Sequence, residues 1–153
     1  MTTIDETHLI GIALPHKTTN LNGQSNKDCG ALWQKFESEK IFEKIPGKLD
    51  NEVIAVYYEY DGDHMKPFAY FIGCRVKEDQ EVPDELSKLI IPKGSYNKHV
   101  AKGKMPECIG QAWAEIWQSE TNRSFTADFE VYGQKSYDWN NAEVNIFLSV
   151  KHI

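Results

Sequence analysis

Apolar positions along this chain follow two periods, and the order in which those periods appear repeats. Residues 8–18 open with an apolar strand, followed by a polar Asn- and Gly-containing loop from Thr19 to Lys27. Cys29, Leu32, Trp33 and Phe36, followed by Ile41 or Phe42, then recur at helical rather than alternating spacing. Asn26 or Asp28 suits the N-cap of that helix, which is predicted to run to about Glu43 and to stop at Pro46-Gly47. Val53 to Tyr60 reads as a strand, Asp61-Gly62-Asp63-His64 as a turn, and Phe68 to Val76 as the hairpin partner. An acidic linker follows, from Lys77 to Glu85.

The sequence then begins the same order again. Leu89 to Pro92 and Gly94 to Gly103 are extended, and Pro106 stands where the first turn of a helix tolerates it. Cys108 to Ser119 is predicted helical, with Ile109, Ala112, Trp113, Ile116 and Trp117 on one stripe. Phe125 to Gly133 and Glu143 to Lys151 are strands, and Val144, Ile146, Leu148 and Val150 share a face of the last one. Trp33 and Trp113, in matching places on the two helices, are 80 residues apart. The expected fold is α+β, a single domain over residues 1–153 built from tandem duplicated β-α-β-β modules. These span about 8–80 and 87–151, in an antiparallel sheet with both helices on one face.

Composition narrows the function classes. At 153 residues the chain can bury a core without disulfides or metals. Its net charge is −6, and its densest basic stretch (Lys98, His99, Lys102, Lys104) is too thin for a phosphate footprint, so no direct nucleic-acid contact is expected. No apolar run reaches the roughly 18 residues of a membrane span, and the N-terminus has no signal pattern, so a cytoplasmic location is expected. Cys29, Cys74 and Cys108 lack CxxC spacing and read as reduced, buried thiols. His8, His16, His64, His99 and His152 form no ligand pair, and a nucleophile elbow and phosphate loop are both missing. No metal, cofactor or catalytic residue is therefore assigned. Gly73, inside a strand, suggests a bulge or a close ligand approach.

The aromatic content, 4 Trp, 7 Tyr and 7 Phe, is in excess. On the strand from Phe125, alternation puts Phe125, Ala127, Phe129 and Val131 on one face, which suits packing on the helices. Thr126, Asp128, Glu130 and Tyr132 fall on the other. If that face meets solvent, Glu130 is an ordinary surface acid. If it lines a cleft, Glu130 is a costly buried carboxylate that a cation would relieve, with help from aromatic faces. Tyr58 and Tyr60 lie opposite Tyr57, Phe68, Tyr70 and Phe71 compete for inside places, and Phe147 points away from the helix-packed side of its strand. Trp33, Trp113 and Phe36 read as core, and Trp117 sits at a helix end.

An ordered set of features carries a family resemblance. It comprises Gly94-Ser95-Tyr96 through His99 to Gly103, the helix around Trp113 and Trp117, Asp128-Phe-Glu-Val-Tyr132, and a last strand ending Leu148-Ser-Val-Lys151. From about Leu9 to Lys151 the chain resembles the gyrase-inhibitor-like (GyrI-like) effector-binding family, the ligand-sensing domain of several AraC-type and MerR-type regulators. With no helix-turn-helix segment, it is similar to the stand-alone effector-binding proteins of integron cassettes. The resemblance implies a ligand cleft between the halves and an acidic anchor for lipophilic cations, here Glu130 followed by Tyr132. The expected ligand-binding set is Glu130, Phe147, Tyr132, Tyr96, Trp117, Tyr58 and Phe71. The expected role is binding of a cationic amphipathic small molecule by a monomer or homodimer, linked to transcription through a separate regulator. The alternatives are a hydrolase of reactive small molecules using the same Glu, and a gyrase-inhibitor-like interaction module.

Overall fold

Both periods are realised in the computed structural model, which describes residues 1–151. The elements in chain order are β1 (Thr2–Ile4), β2 (Thr7–Ala13), α1 (Gln24–Ser38), α2 (Ile41–Lys44), β3 (Val53–Tyr58), β4 (Ala69–Arg75), β5 (Ser87–Ile91), β6 (Gly94–Gly103), α3 (Glu107–Ser119), β7 (Ala127–Tyr132) and β8 (Ala142–Ser149). The helix expected to reach Glu43 is two helices. Lys40 takes a left-handed conformation (φ 52°), and α2 restarts behind it so that Ile41 is buried. Neither Asn26 nor Asp28 caps α1, which begins after left-handed Gly23. The Asp28 carboxylate instead accepts hydrogen bonds from Thr18 Oγ1 (2.6 Å) and Gln24 Nε2 (2.9 Å). Left-handed backbone at Glu59 and Phe125 ends β3 and delays β7, so both strands are shorter than alternation alone suggests.

All pairings are antiparallel in one sheet of order β1-β6-β8-β7-β3-β4-β2-β5. Each half contributes strand–helix–strand–strand, and the halves meet at β7 and β3. The leading strands are exchanged: β1 joins the far half at β6, and β5 joins the near half at β2.

The sheet is apolar on both faces. On one face, Ile10, Ile12, Ala55, Tyr70, Ile72 and Cys74 pack with Leu32 and Phe36 of α1. Further along the same face, Ala101, Val144, Ile146 and Leu148 pack with Cys108, Trp113 and Ile116 of α3. The opposite face is covered by no helix among the described residues. It draws Leu9, Ile54, Phe71, Ile91, Tyr96 and Phe129 from strands near both edges, because the sheet curls over itself and fills its own hollow. Each large side chain so buried contributes about 1.5–3 kcal/mol.

This double core reverses one expectation. The alternation on β7 is as read, but Ala127, Phe129 and Val131 fill the inside of the curl, and Asp128, Glu130 and Tyr132 lie on the helix side. Gly73 lets strands approach closely: a Cβ there would collide with the Ile10 carbonyl of β2. Cys74 and Cys108 are buried, Cys29 is half-buried, and all three are free thiols. No described helix is long and apolar enough to cross a membrane.

Candidate functional site

The site lies at the seam of the halves, where β7 pairs with β3 and Ala55 stands opposite Glu130. Ala55 is the smallest side chain available there short of glycine, so the longer acid finds room beside it. Glu130 is 1% exposed. Its Oε2 accepts hydrogen bonds from Trp113 Nε1 (2.7 Å) and the Tyr57 hydroxyl (2.9 Å), and its Oε1 accepts one from the Tyr132 hydroxyl (2.7 Å). Strand geometry explains the two tyrosines. Tyr132 is two residues along β7 and Tyr57 is two along β3 from Ala55, so both share the face of Glu130 and flank it. They also touch the cores under α1 and α3 alike.

A second aromatic layer stiffens the first. Trp33 of α1 donates from Nε1 to the Tyr70 hydroxyl (2.8 Å), and its ring meets Tyr132 edge-on at 5.0 Å. Tyr57 meets Tyr70 and Trp113, each at 5.0 Å. Edge-on and tilted pairs of this kind suit the ring quadrupoles. Trp33, Tyr57 and Tyr132 are half-buried and Trp113 is 9% exposed, so the carboxylate lies beneath an aromatic cover that reaches solvent.

Among the described residues, no Lys, Arg or His forms an ion pair with Glu130. Burial pushes its carboxyl above the ordinary value, and the three donors only partly draw it back. Burial, then the nearby Glu130 charge, raise the Tyr57 and Tyr132 hydroxyls well above theirs, so both remain donors at neutral pH. The other acid on this face is treated differently. Asp128 Oδ2 accepts from Arg123 Nη2 (2.7 Å) and the Tyr60 hydroxyl (2.6 Å). Its Oδ1 accepts from the amide (2.8 Å) and hydroxyl (3.0 Å) of Ser149.

Of the residues singled out from sequence, the structure brings Glu130 and Tyr132 together and separates the rest from them. Phe147, Tyr96, Phe71 and Tyr58 belong to the core inside the curl, across the sheet from Glu130. Phe147 stacks on Phe129 (5.0 Å, 24°), and Tyr96 meets Phe129 edge-on at 5.4 Å. Phe147 points away from the helix-packed side, as its alternation implies, but Glu130 lies on that helix-packed side; left-handed Glu59 also turns Tyr60 to Asp128, so Tyr60 does not share the side of Tyr58. Tyr58 borders a hollow of about 290 Å³ with Leu89, Ile90 and Pro92. Trp117, in the last turn of α3, is 39% exposed and stacks on His64 at 5.1 Å.

Sequence reasoning missed Tyr57, Trp113, Trp33 and Tyr70. The two tryptophans were read as core, and packing does hold them. The overlooked signal is that a buried indole N–H needs an acceptor. Tyr57 depends on the β3–β7 register, which alternation does not reveal. Among the histidines, His99 hydrogen-bonds Glu120 (3.2 Å), and His152 lies outside the described residues. Glu6, His8 and Glu78 bring ligating atoms within 4.8 Å of one another, with His8 Nε2 already held by Glu6 at 2.8 Å. That cluster begins at β2, three strands from β7.

Comparison with known proteins places this geometry in context. A family model described as integron-associated effector binding protein (Cass2) matches residues 1–150. YobU of Bacillus subtilis (strain 168), named for transcriptional regulation, is 25% identical over 143 residues, 90% of this chain and 89% of its own. The Vibrio cholerae integron cassette protein VCH_CASS2 has the same fold (TM-score 0.73, 25% identity), covering 98% of this chain and 94% of that one. SAV2435, whose structure was determined bound to tetraphenylphosphonium, also shares the fold (TM-score 0.78, 16% identity), covering 98% and 92%.

Proposed function

The chain belongs to the integron-associated effector binding proteins, and we propose that it binds lipophilic cations at Glu130 without changing them covalently. One observation carries the reading: a carboxylate 1% exposed, held by three aromatic donors, with no cation from the described chain beside it. An ionised, unpaired carboxylate in such a place costs several kcal/mol. A ligand cation supplies the missing charge, and the faces of Trp33, Trp113, Tyr57 and Tyr132 add cation–π attraction. Phosphonium and quaternary ammonium ions fit best, since their weakly hydrated charge is cheap to strip of water. That SAV2435, a protein of the same fold, was captured with tetraphenylphosphonium is in keeping with this. Access requires the aromatic cover to part, so affinity depends on how readily Trp33 and Tyr132 yield.

The test compares two ions of one shape. Tetraphenylphosphonium and tetraphenylborate differ in the sign of their charge, and binding to each is followed by tryptophan fluorescence. The unmodified protein is expected to prefer the phosphonium. Glu130→Gln is expected to weaken phosphonium binding by about 30-fold or more, the cost of removing one partner of a buried charge pair. Equal binding of the two ions by both proteins would end the cation reading.

A further inference from the structure

Arg123 is 6% exposed and uses only Nη2, which donates to Asp128; its Nε–H and its Nη1 group meet no acceptor among the described residues. Buried N–H groups without partners are rare, and those of a charged group are the costliest to leave so. The guanidinium is fixed from other sides. Its carbon lies 4.2 Å from the Phe125 ring centre, 5.8 Å from that of Trp113 and 6.0 Å from that of Tyr60. Asp128 anchors it from the strand, and the residue pairs with Val150 at the end of β8. Trp113 connects the two groups, because its Nε1 holds Glu130 while its ring lies against Arg123.

We propose that the unused N–H groups of Arg123 form a donor subsite next to the Glu130 site, which then selects cations carrying a carbonyl or similar oxygen as acceptor. The inference rests on the cation reading above and adds a ligand class to it. Asp128 and Glu130 are two residues apart on one strand face, about 7 Å along the strand, so a ligand that joins Glu130 to the guanidinium held by Asp128 needs a span of that order. Arg123 is then a residue of ligand specificity, with its charge already neutralised by Asp128 and its donors free for a neutral oxygen. A second anion is not needed.

Two probes of nearly equal shape decide it: (4-acetylphenyl)trimethylammonium, which carries the oxygen at that separation, and (4-isopropylphenyl)trimethylammonium, which does not. The acetyl compound is expected to bind roughly tenfold tighter despite being less apolar. Arg123→Lys, which keeps a cation for Asp128 but loses the planar fork, is expected to abolish that preference and leave the isopropyl compound's affinity within about twofold. Since that variant could fold poorly, NMR of the unmodified protein gives a second readout. The chain has two arginines, and Arg75 is engaged at the surface by Asp50 and Glu52. The Arg123 Nε–H signal is expected to shift with the acetyl probe alone, and that of Arg75 with neither. If both probes bind alike in a Glu130-dependent way and the Arg123 signal is unmoved, the subsite is overturned and the cation reading stands. If neither binds, the subsite is overturned and the cation reading is left to the phosphonium comparison; if Glu130→Gln binds both unchanged, the cation reading falls and the subsite with it.

Discussion

Asp128 and Glu130 are two acids on one face of one strand, both buried, and the protein has solved them in opposite ways. Asp128, at 0% exposure, receives a guanidinium, a tyrosine hydroxyl and both donors of Ser149. Every lone pair has a partner, and its charge is cancelled inside the chain. Glu130, at 1%, receives hydrogen bonds from Tyr57, Trp113 and Tyr132 but no positive charge. Three donors orient the carboxylate without supplying a charge to neutralise its ionised form. The first acid therefore belongs to the architecture, and the second is the one that the proposed cation reading assigns to a ligand's charge. Burial alone does not tell them apart, since the two exposures are nearly equal.

The comparison can be broken at several points. The largest effect is expected at Asp128→Ala, which leaves Arg123 charged and unpaired in the interior. Denaturant unfolding should show a loss of about 3–5 kcal/mol. Phe147→Ala tests the two faces of the sheet. It opens the core inside the curl and should cost about 2 kcal/mol while leaving tetraphenylphosphonium affinity within about twofold.

Glu130→Gln should act on stability with the opposite sign to Asp128→Ala. Burial raises the Glu130 pKa in the folded protein above the unfolded value of about 4.3. The fold thus holds that proton more tightly than the unfolded chain does. The carboxyl's contribution is fully present below the unfolded value and is lost as pH rises through the folded one. Gln has no such loss, and its amide can accept from Trp113 and donate to a tyrosine oxygen. The variant should be more stable at pH 8, on the order of 1 kcal/mol, with the gap closing towards pH 4 in thermal melts. A destabilised Glu130→Gln at pH 8 would falsify the view of Glu130 as an uncompensated charge.

The smallest effect is expected at Trp113→Phe, which keeps a ring and removes a donor that favours ionised Glu130. The carboxyl then rises further, so the pH midpoint of phosphonium binding moves up. On the acidic side of that midpoint the variant should bind roughly three- to tenfold more weakly, with the deficit shrinking as pH rises past it.

Much of this arrangement was legible in the chain. The helical stripes through Leu32 and Phe36, and through Trp113 and Ile116, are buried as their spacing demands. The repeated strand–helix–strand–strand order appears as matching halves of one sheet. The ordered set from Gly94 to Lys151 pointed to effector-binding proteins, the kind of family to which the chain belongs. The misplaced wall residues on the strands share one cause. A sheet with a helix on one side and its own curl on the other offers two dry faces, so an apolar residue such as Phe129 or Phe147 gives no sign of which face it takes. Four of the residues nominated as walls accordingly lie across the sheet from Glu130.

Strand period alone determined that Asp128, Glu130 and Tyr132 share a face, because successive side chains must alternate whatever the surroundings. Helix spacing alone determined that Trp33 and Trp113 turn inward, because it gathers them with apolar neighbours. Only the tertiary structure decided that the acidic face turns towards the helices, that Tyr57 stands beside Glu130, and that Arg123 goes to one carboxylate and not the other. Those outcomes depend on cross-strand register and on contacts between residues up to 73 positions apart. Local patterning acts over a few residues and cannot carry such choices; packing of the complete sheet makes them.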